Sequence, residues 1–273
     1  MRKGSRADSA GPVFVKMGGS LITDKDCPYT AREQVIAQLA METRRVLDAI
    51  PSLALLLGHG SGSFGHWAAR PYETRQGVHT QAEWVGYAQV AAAAARLNRI
   101  VTDTFLAAGV PVLSLPPSAS ARCRNYVMTE LNTGPIHRAL AHGLVPLLYG
   151  DVALDDIHGG TIVSTEDIFV YLAEELHPAR IVLAGDAPGV IGPQESVVPR
   201  ITPSTLPELS TALAGSASVD VTGGMADKVA RMVALVQRHP ATVVHIISGR
   251  QPGTLTGLLQ DPTLPIGTRI VAD

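Results

Sequence analysis

Cysteine is nearly absent: Cys27 and Cys123 are the only two in 273 residues, far apart and outside any C-x-x-C pattern. That excludes a disulfide framework and a zinc ribbon, predicts no metal-ligating residues, and fits a reducing cytoplasm. Charge imbalance is lacking too. The formal net charge is −2 with both signs interspersed, so no nucleic-acid surface and no acidic tail are expected. No apolar run is long enough to span a bilayer, and the opening MRKGSRADSAGP is not followed by an apolar segment of the signal-peptide kind. Residues 1–11 therefore read as a loose leader, and no membrane partner is expected. There is no G-x-x-x-x-G-K-[ST], so this is not a P-loop protein. Residues 60–65, GSGSFG, match G-x-G-x-x-G, but the second strand with a terminal acidic residue that a dinucleotide fold requires does not follow.

What is present is a 46% hydrophobic chain, long enough for one large α/β domain or two lobes sharing a sheet. Its organising stretch is LALLLGHGSGSFGH, Leu53 to His66. Leu53 to Leu57 has the length and flanks of a strand buried on both faces, and it breaks at Gly58. Gly58, Gly60, Gly62 and Gly65 lack Cβ, so the backbone there can bring N–H groups against an anion; Ser61, Ser63 and His66 add side-chain donors. A strand followed by an ordinary flexible turn would show the same glycines.

A second strand, Val13 to Met17, ends in Gly18-Gly19-Ser20 and carries Lys16. A lysine in a buried strand is costly unless its ammonium reaches an anion or water. Lys25 lies in the loop that follows. Thr30 with Glu33 forms a capping-box pattern, predicting a helix to about Ile50. A long helix is expected from about Gln81 to Ala107. Its Trp84, Val85 and Ala88, adjacent on one face, either pack the helix or wall an apolar ligand pocket.

Strands are expected at Val110–Leu115 and at Leu144–Tyr149, the latter ended by Gly150-Asp151. Ser164-Thr165 opens a helix whose first turn holds Glu166, read as a dipole-stabilising charge, and Asp167. His177-Pro178 is the expected internal boundary, dividing residues 12–177 from 178–273. Beyond it come a strand from Ile181 to Ala184, a long excursion over residues 187–219, and DVTGGMADKVARMVALV. Lys228 lies in the first turn of that last helix, a poor place for a cation unless an anion sits there. The β, break, helix rhythm predicts a three-layer αβα sandwich around a mostly parallel sheet. Glycine turns beside Lys16, Lys228, His66 and Lys25 describe a site for two phosphorylated groups.

K-x-G-G-S near the start, the glycine loop, and T-G-G-M-x-x-K near the end together resemble the amino acid kinase superfamily. SGSFGH ending in His66, Leu97 to Ser118, Leu148 to Val152 and Leu21 to Lys25 resemble isopentenyl phosphate kinases in particular. The resemblance covers about residues 13 to 270. Ser61 stands where that loop usually has a third glycine, and LAGDAPGVI, Leu183 to Ile191, replaces the usual T-D-x-D-G-V-Y-like run while retaining Asp186 and Gly189. The resemblance implies ATP and Mg²⁺ as cofactors, isopentenyl phosphate as acceptor, and a homodimer. It implies an acceptor lobe at 12–177 and a nucleotide lobe at 178–273. Lys16, Lys228 and Lys25 are then assigned to the phosphoryl group in transfer, with Asp167 orienting the lysines. Gly18, Gly19, Ser20, Gly62, Asp186, Gly189 and Gly224 fall to the nucleotide. Ser61, Gly62, His66, Gly150, Trp84, Val85 and Ala88 fall to the acceptor. The alternatives are a kinase for another small phosphate or phosphonate, as fosfomycin kinases are, and a nucleotide-binding module without catalysis.

Overall fold

The computed structural model describes residues 11–192, 195–209 and 224–273. The expected leader therefore lies outside the described residues except for Gly11, as do part of the 187–219 excursion and the turn residues Asp220 to Gly223.

The chain opens with β1 (Val13–Met17), turns through α1 (Gly19–Ile22) into α2 (Glu33–Ala49), and returns in β2 (Leu55–His59). Then come α3 (Gly62–Ala69), the long α4 (Gln81–Ala107), β3 (Val112–Ser114) and a hairpin of β4 (Arg122–Arg124) and β5 (Val127–Glu130). Next are α5 (Gly134–Ala141), β6 (Val145–Tyr149), a second hairpin of β7 (Asp151–Asp155) and β8 (Gly159–Val163), and α6 (Thr165–Leu176). The chain ends with β9 (Arg180–Gly185), β10 (Arg200–Ile201), α7 (Gly224–Arg238), β11 (Val243–Ser248), α8 (Thr254–Gln260) and β12 (Thr268–Ile270).

Eight strands form one sheet in the order β10-β12-β11-β9-β1-β2-β6-β3, parallel except where β12 runs against β11. β1, β2 and β6 are buried at every residue, as apolar runs sandwiched between helices must be. Alternation divides the core. Val13, Val15 and Met17 pack with α2, α4 and α8, whereas Phe14 faces the opposite layer, its ring 5.1 Å from Phe169 of α6. Lys16 shares the Phe14 face. The architecture is the expected αβα sandwich, with a smaller sheet, β5-β4-β7-β8, added at one side. His177-Pro178 does precede a new strand, but β9 pairs directly with β1, Val13 beside Arg180, so the two halves share the sheet. Among the described residues no helix is long and apolar enough to cross a membrane.

Two local expectations need correction. Thr30 does not cap α2: the helix starts at Glu33 behind Arg32, with no side-chain cap. A bridge between Thr23 and Ala31 and a bond from Asp24 N–H to the Thr30 carbonyl hold Thr30 extended instead. Capping boxes do form where Thr80 meets Glu83 and Ser164 meets Asp167. The second correction concerns β2, which runs on through Gly58 to His59 because Gly58 fits against Thr165 and Phe169 where a Cβ would not.

His245, in the middle of β11, is fully buried with no hydrogen-bond partner for either ring nitrogen among the described residues. Burial, then Arg269 and Arg180, pushes its pKa down from 6.5 to about 4. The unfolded chain thus takes up a proton near pH 6.5 that the folded chain refuses until near pH 4, so stability falls as pH drops through that window. His245→Leu is expected to flatten the decline by up to about 3 kcal/mol in urea titrations between those limits. An unchanged slope would show that His245 is not held neutral.

Candidate active site

β1 lies between β2 and β9, so the chain leaves β1 toward one side of the sheet and later returns on the other. Ligand crevices form outside the strand ends at such a reversal. Here those ends carry Gly18–Ser20 after β1, Gly60–Gly62 after β2, Gly150 after β6, and Gly185-Asp186 at β9.

The first two turns touch backbone to backbone. A Cβ on Gly19 would lie 2.6 Å from Gly62 N, and one on Gly60 would lie 2.8 Å from Gly19 N. Gly62 also has φ +51°, with Thr23 against it, so glycine is required there twice over. Thr23, which the sequence reading passed over, joins the turns: its buried hydroxyl donates to Gly19 O (2.7 Å) and accepts from Ser63 N–H (2.9 Å). Among the described residues the N–H groups of Gly19, Ser20, Ser61 and Gly62 donate to no protein acceptor. Four unpaired donors at converging turns make a cradle for an anion. Ser61 adopts ordinary helical angles, and its hydroxyl lies where a side chain on residue 65 would otherwise begin, which explains why a serine is accommodated opposite Gly65. Gly150 leaves space beside Ser61 N–H, its missing Cβ being 3.6 Å away.

Beside the cradle stand the charges. Lys16 Nζ lies 2.7 Å from Glu166 Oε1, both side chains nearly enclosed. Burial alone would raise the Glu166 carboxyl, but Lys16, by charge and hydrogen bond, and Lys228 outweigh it and hold it below the usual range. Lys228 is pushed below the usual lysine range by burial and then by Lys16, with Glu166 opposing and Lys25 adding to the push. Lys16 is paired with Glu166, and Lys228 is near enough to feel the charge of both, so two ammonium groups stand beside one carboxylate.

The lysine-orienting role assigned to Asp167 belongs by geometry to Glu166. Asp167 turns back on its own helix, accepting from Ser164 N–H (2.9 Å) and Oγ (2.6 Å), and pairs with Arg231. One residue step is about 100° around a helix, so only one of two adjacent carboxylates can face β1. The structure brings together Lys16, Lys228, Gly18, Gly19, Ser20, Ser61, Gly62 and Gly150. His66 is exposed on α3, Lys25 is exposed after α1, and Gly224 is exposed at the start of α7. Asp186 is paired with Arg250 (2.7 Å) and lies 3.6 Å from Arg32, two arginines that sequence reasoning missed. Gly189 is buried against Val197 and Thr268, so its smallness serves packing. Trp84 is half-buried edge-on to Tyr87 (5.3 Å), while Val85 and Ala88 are exposed on the same helix. Tyr87, also unforeseen, packs on Gly160, and burial followed by the charge of Asp151 raises its phenol to about 12.

The profile of the amino acid kinase family matches residues 12–248. An isopentenyl phosphate kinase of Haloferax volcanii is 37% identical over 250 residues, covering 89% of this chain and 97% of the relative. That of Methanocaldococcus jannaschii is 33% identical over 224 residues, covering 80% and 85%. A crystal structure of isopentenyl phosphate kinase superposes with a TM-score of 0.79 at 27% identity, covering 95% of this chain and 99% of the other.

The carboxylates at 166 and 167 should separate cleanly in chemical denaturation. Glu166→Gln strands the buried Lys16 ammonium and is expected to cost about 3 kcal/mol. Asp167→Asn loses one capping contact and a half-exposed ion pair, worth about 1 kcal/mol. A larger loss at 167 would contradict the Lys16–Glu166 pairing as the buried centre.

Proposed function

Because the chain belongs to the amino acid kinase family and, within it, to the isopentenyl phosphate kinases, we propose that it transfers the γ-phosphoryl group of ATP to isopentenyl phosphate, giving isopentenyl diphosphate and ADP. The observation that carries this reading is the Lys16–Glu166–Lys228 cluster opening onto unpaired N–H groups at the strand ends. That donor set fits polyphosphate: a buried surplus of positive charge with neutral donors alongside. Residues 12–177 hold the acceptor in this reading and residues 178–273 the nucleotide.

The acceptor supplies its own nucleophile. A phosphate monoester, with a second pKa near 6, is mostly a dianion at neutral pH, so no general base is needed. One of its oxygens attacks the γ-phosphorus while the bond to the ADP oxygen breaks, and no proton moves. The difficulty is repulsion between the two anions. Lys16 and Lys228 neutralise charge on the phosphoryl group in transfer, Glu166 keeps both ammonium groups aimed, and Lys25 approaches from its exposed loop. The amides of Ser61 and Gly62, with the Ser61 hydroxyl and His66, hold the acceptor phosphate, with Gly150 leaving room beside them. Gly18, Gly19, Ser20 and Gly224 receive the nucleotide phosphates, and Asp186 lies toward the base end. Mg²⁺ supplies further charge neutralisation when bound with ATP. Among the described residues no cluster of three or more His, Cys, Asp and Glu could hold a metal, and Glu166 is engaged by Lys16. The exposed flank of Trp84, Val85 and Ala88, with Tyr87, offers the isoprenoid tail an apolar surface worth ~0.8 kcal/mol per buried CH₂. Homodimer assembly belongs to the same reading: β3 ends the eight-stranded sheet with one edge unpaired and Leu113 38% exposed.

The deciding experiment is an acceptor panel of isopentenyl phosphate, fosfomycin, glutamate and water with ATP and Mg²⁺, products identified by mass. Isopentenyl diphosphate as the main product supports the reading, and ATP consumption with any other acceptor replaces it. Lys16→Ala and Lys228→Ala are each expected to lower kcat at least about 10²-fold; turnover near wild type in either folded variant removes its role in transfer. His66→Ala is expected to raise the acceptor KM about tenfold or more while the ATP KM barely moves, reflecting one lost bond to a charged group. A loss of thermal stability at unchanged acceptor KM would make His66 a packing residue.

A further inference from the structure

His59, the last residue of β2, is fully buried and outside the transfer chemistry, yet it adjoins the cradle. Its ring stacks on Tyr149 at 5.5 Å, its Nδ1 lies 3.0 Å from Gly60 O, and its Nε2 lies 3.2 Å from the amide of Asn98 on α4. The other end of that amide is 2.6 Å from Ser114 Oγ on β3. Asn98 Oδ1 is the atom placed at Nε2, and Nδ2 donates to Ser114 Oγ, so two acceptors face the ring; only an imidazolium would satisfy both, unless the amide oxygen and nitrogen exchange places. A ring enclosed this deeply, with no carboxylate among its partners, favours the neutral form. Burial above all, with Lys16 assisting, pushes its pKa to about 4 against the pull of Gly60 and Asn98.

A neutral imidazole has one N–H, and Gly60 O can only accept, so the proton belongs on Nδ1. The opposite tautomer would aim a lone pair at a carbonyl oxygen 3.0 Å away. Nε2 then needs a donor, which Asn98 provides when its amide nitrogen faces the ring, leaving Oδ1 to accept from the Ser114 hydroxyl. The result is a chain with one direction: Ser114 to Asn98 to His59 to Gly60.

Its end point matters because among the described residues no peptide bond is cis, and in a trans peptide the carbonyl and the next N–H point opposite ways. With Gly60 O held at the His59 ring, Ser61 N–H points the opposite way, and its nitrogen lies 3.6 Å from where a Cβ on Gly150 would sit. We propose that His59, held as the Nδ1–H tautomer by Asn98 and Ser114, is a positioning residue that fixes the Gly60–Ser61 peptide so that Ser61 N–H faces a bound phosphate monoester. The role rests on the kinase reading for the identity of that phosphate, not for the polarity of the chain.

The ¹⁵N spectrum of the imidazoles at neutral pH tests the polarity directly. A His59 signal with Nδ1 protonated and Nε2 bare, assigned by its loss in His59→Asn, is expected; an Nε2–H form or an imidazolium overturns the proposal, whatever the enzyme turns over. Function is read by the dissociation constant for isopentenyl phosphate and by KM for acceptor and ATP. Asn98→Asp places an acceptor at Nε2 and is expected to weaken acceptor binding about tenfold with little change in ATP KM. His59→Leu should do the same, whereas His59→Asn, which keeps a donor near the Nδ1 position, should recover most of the affinity at a similar loss of melting temperature. Equal acceptor affinity in His59→Leu and wild type, or parallel losses for both ligands, would reduce His59 to packing. If wild type binds the monoester but transfers nothing to it, the kinase reading fails while the binding comparison still decides this role.

Discussion

A lysine ammonium in the middle of a buried parallel strand is the constraint on which the rest of this structure turns. Lys16 lies between β2 and β9, beside Gly58 and Leu183, where desolvation strongly disfavours an unpaired charge. Glu166 makes the position tenable at 2.7 Å, and the α6 start that presents it is set by the Ser164–Asp167 capping box. Lys228 brings a second ammonium within range of the charges of Lys16 and Glu166. The arrangement leaves more positive than negative charge beside the strand ends, which suits an anion.

The neutral half of the site depends on contact between two glycine turns. Gly19, Gly60 and Gly62 approach so closely that any Cβ would force them apart, and Thr23 bonds to both turns at once. This leaves Gly19, Ser20, Ser61 and Gly62 with N–H groups that find no acceptor among the described residues, on a frame held by direct backbone contact. Preorganised donors need no rearrangement as charge moves between two phosphates. Rigidity comes from behind: Gly58 fits under Phe169, the His59 carbonyl accepts from Gly150 N–H (2.9 Å) and the Thr165 hydroxyl (2.7 Å), and the His59 ring reaches Asn98.

Much of this was legible in the chain. Apolar runs of five or six residues ending in glycine mark parallel strands whose ends face a ligand, and Lys16 is conspicuous because a cation has no other reason to interrupt such a run. Reading failed where short-range pattern met long-range geometry. Thr30 and Glu33 have the spacing of a capping box, but pairing of Thr23 with Ala31 holds the chain extended there. Glu166 and Asp167 are chemically alike and adjacent, and nothing local says which faces β1. Thr23 sits in a stretch that the sequence singled out, but its bond to the second turn is not legible there; Arg32, Tyr87 and Arg250 carry no motif, since their partners lie across the fold.

By itself the sequence determined the layers, the strand ends that would carry the site, and the polyphosphate character of the ligand, because periodicity, glycine placement and isolated buried charge are properties of short windows. Tertiary structure alone decided which carboxylate serves the lysines, which N–H groups remain unpaired, and which way the Gly60–Ser61 peptide faces. Each of these depends on groups separated by tens to hundreds of residues arriving within about 3 Å of one another, the range at which hydrogen bonds discriminate between neighbours.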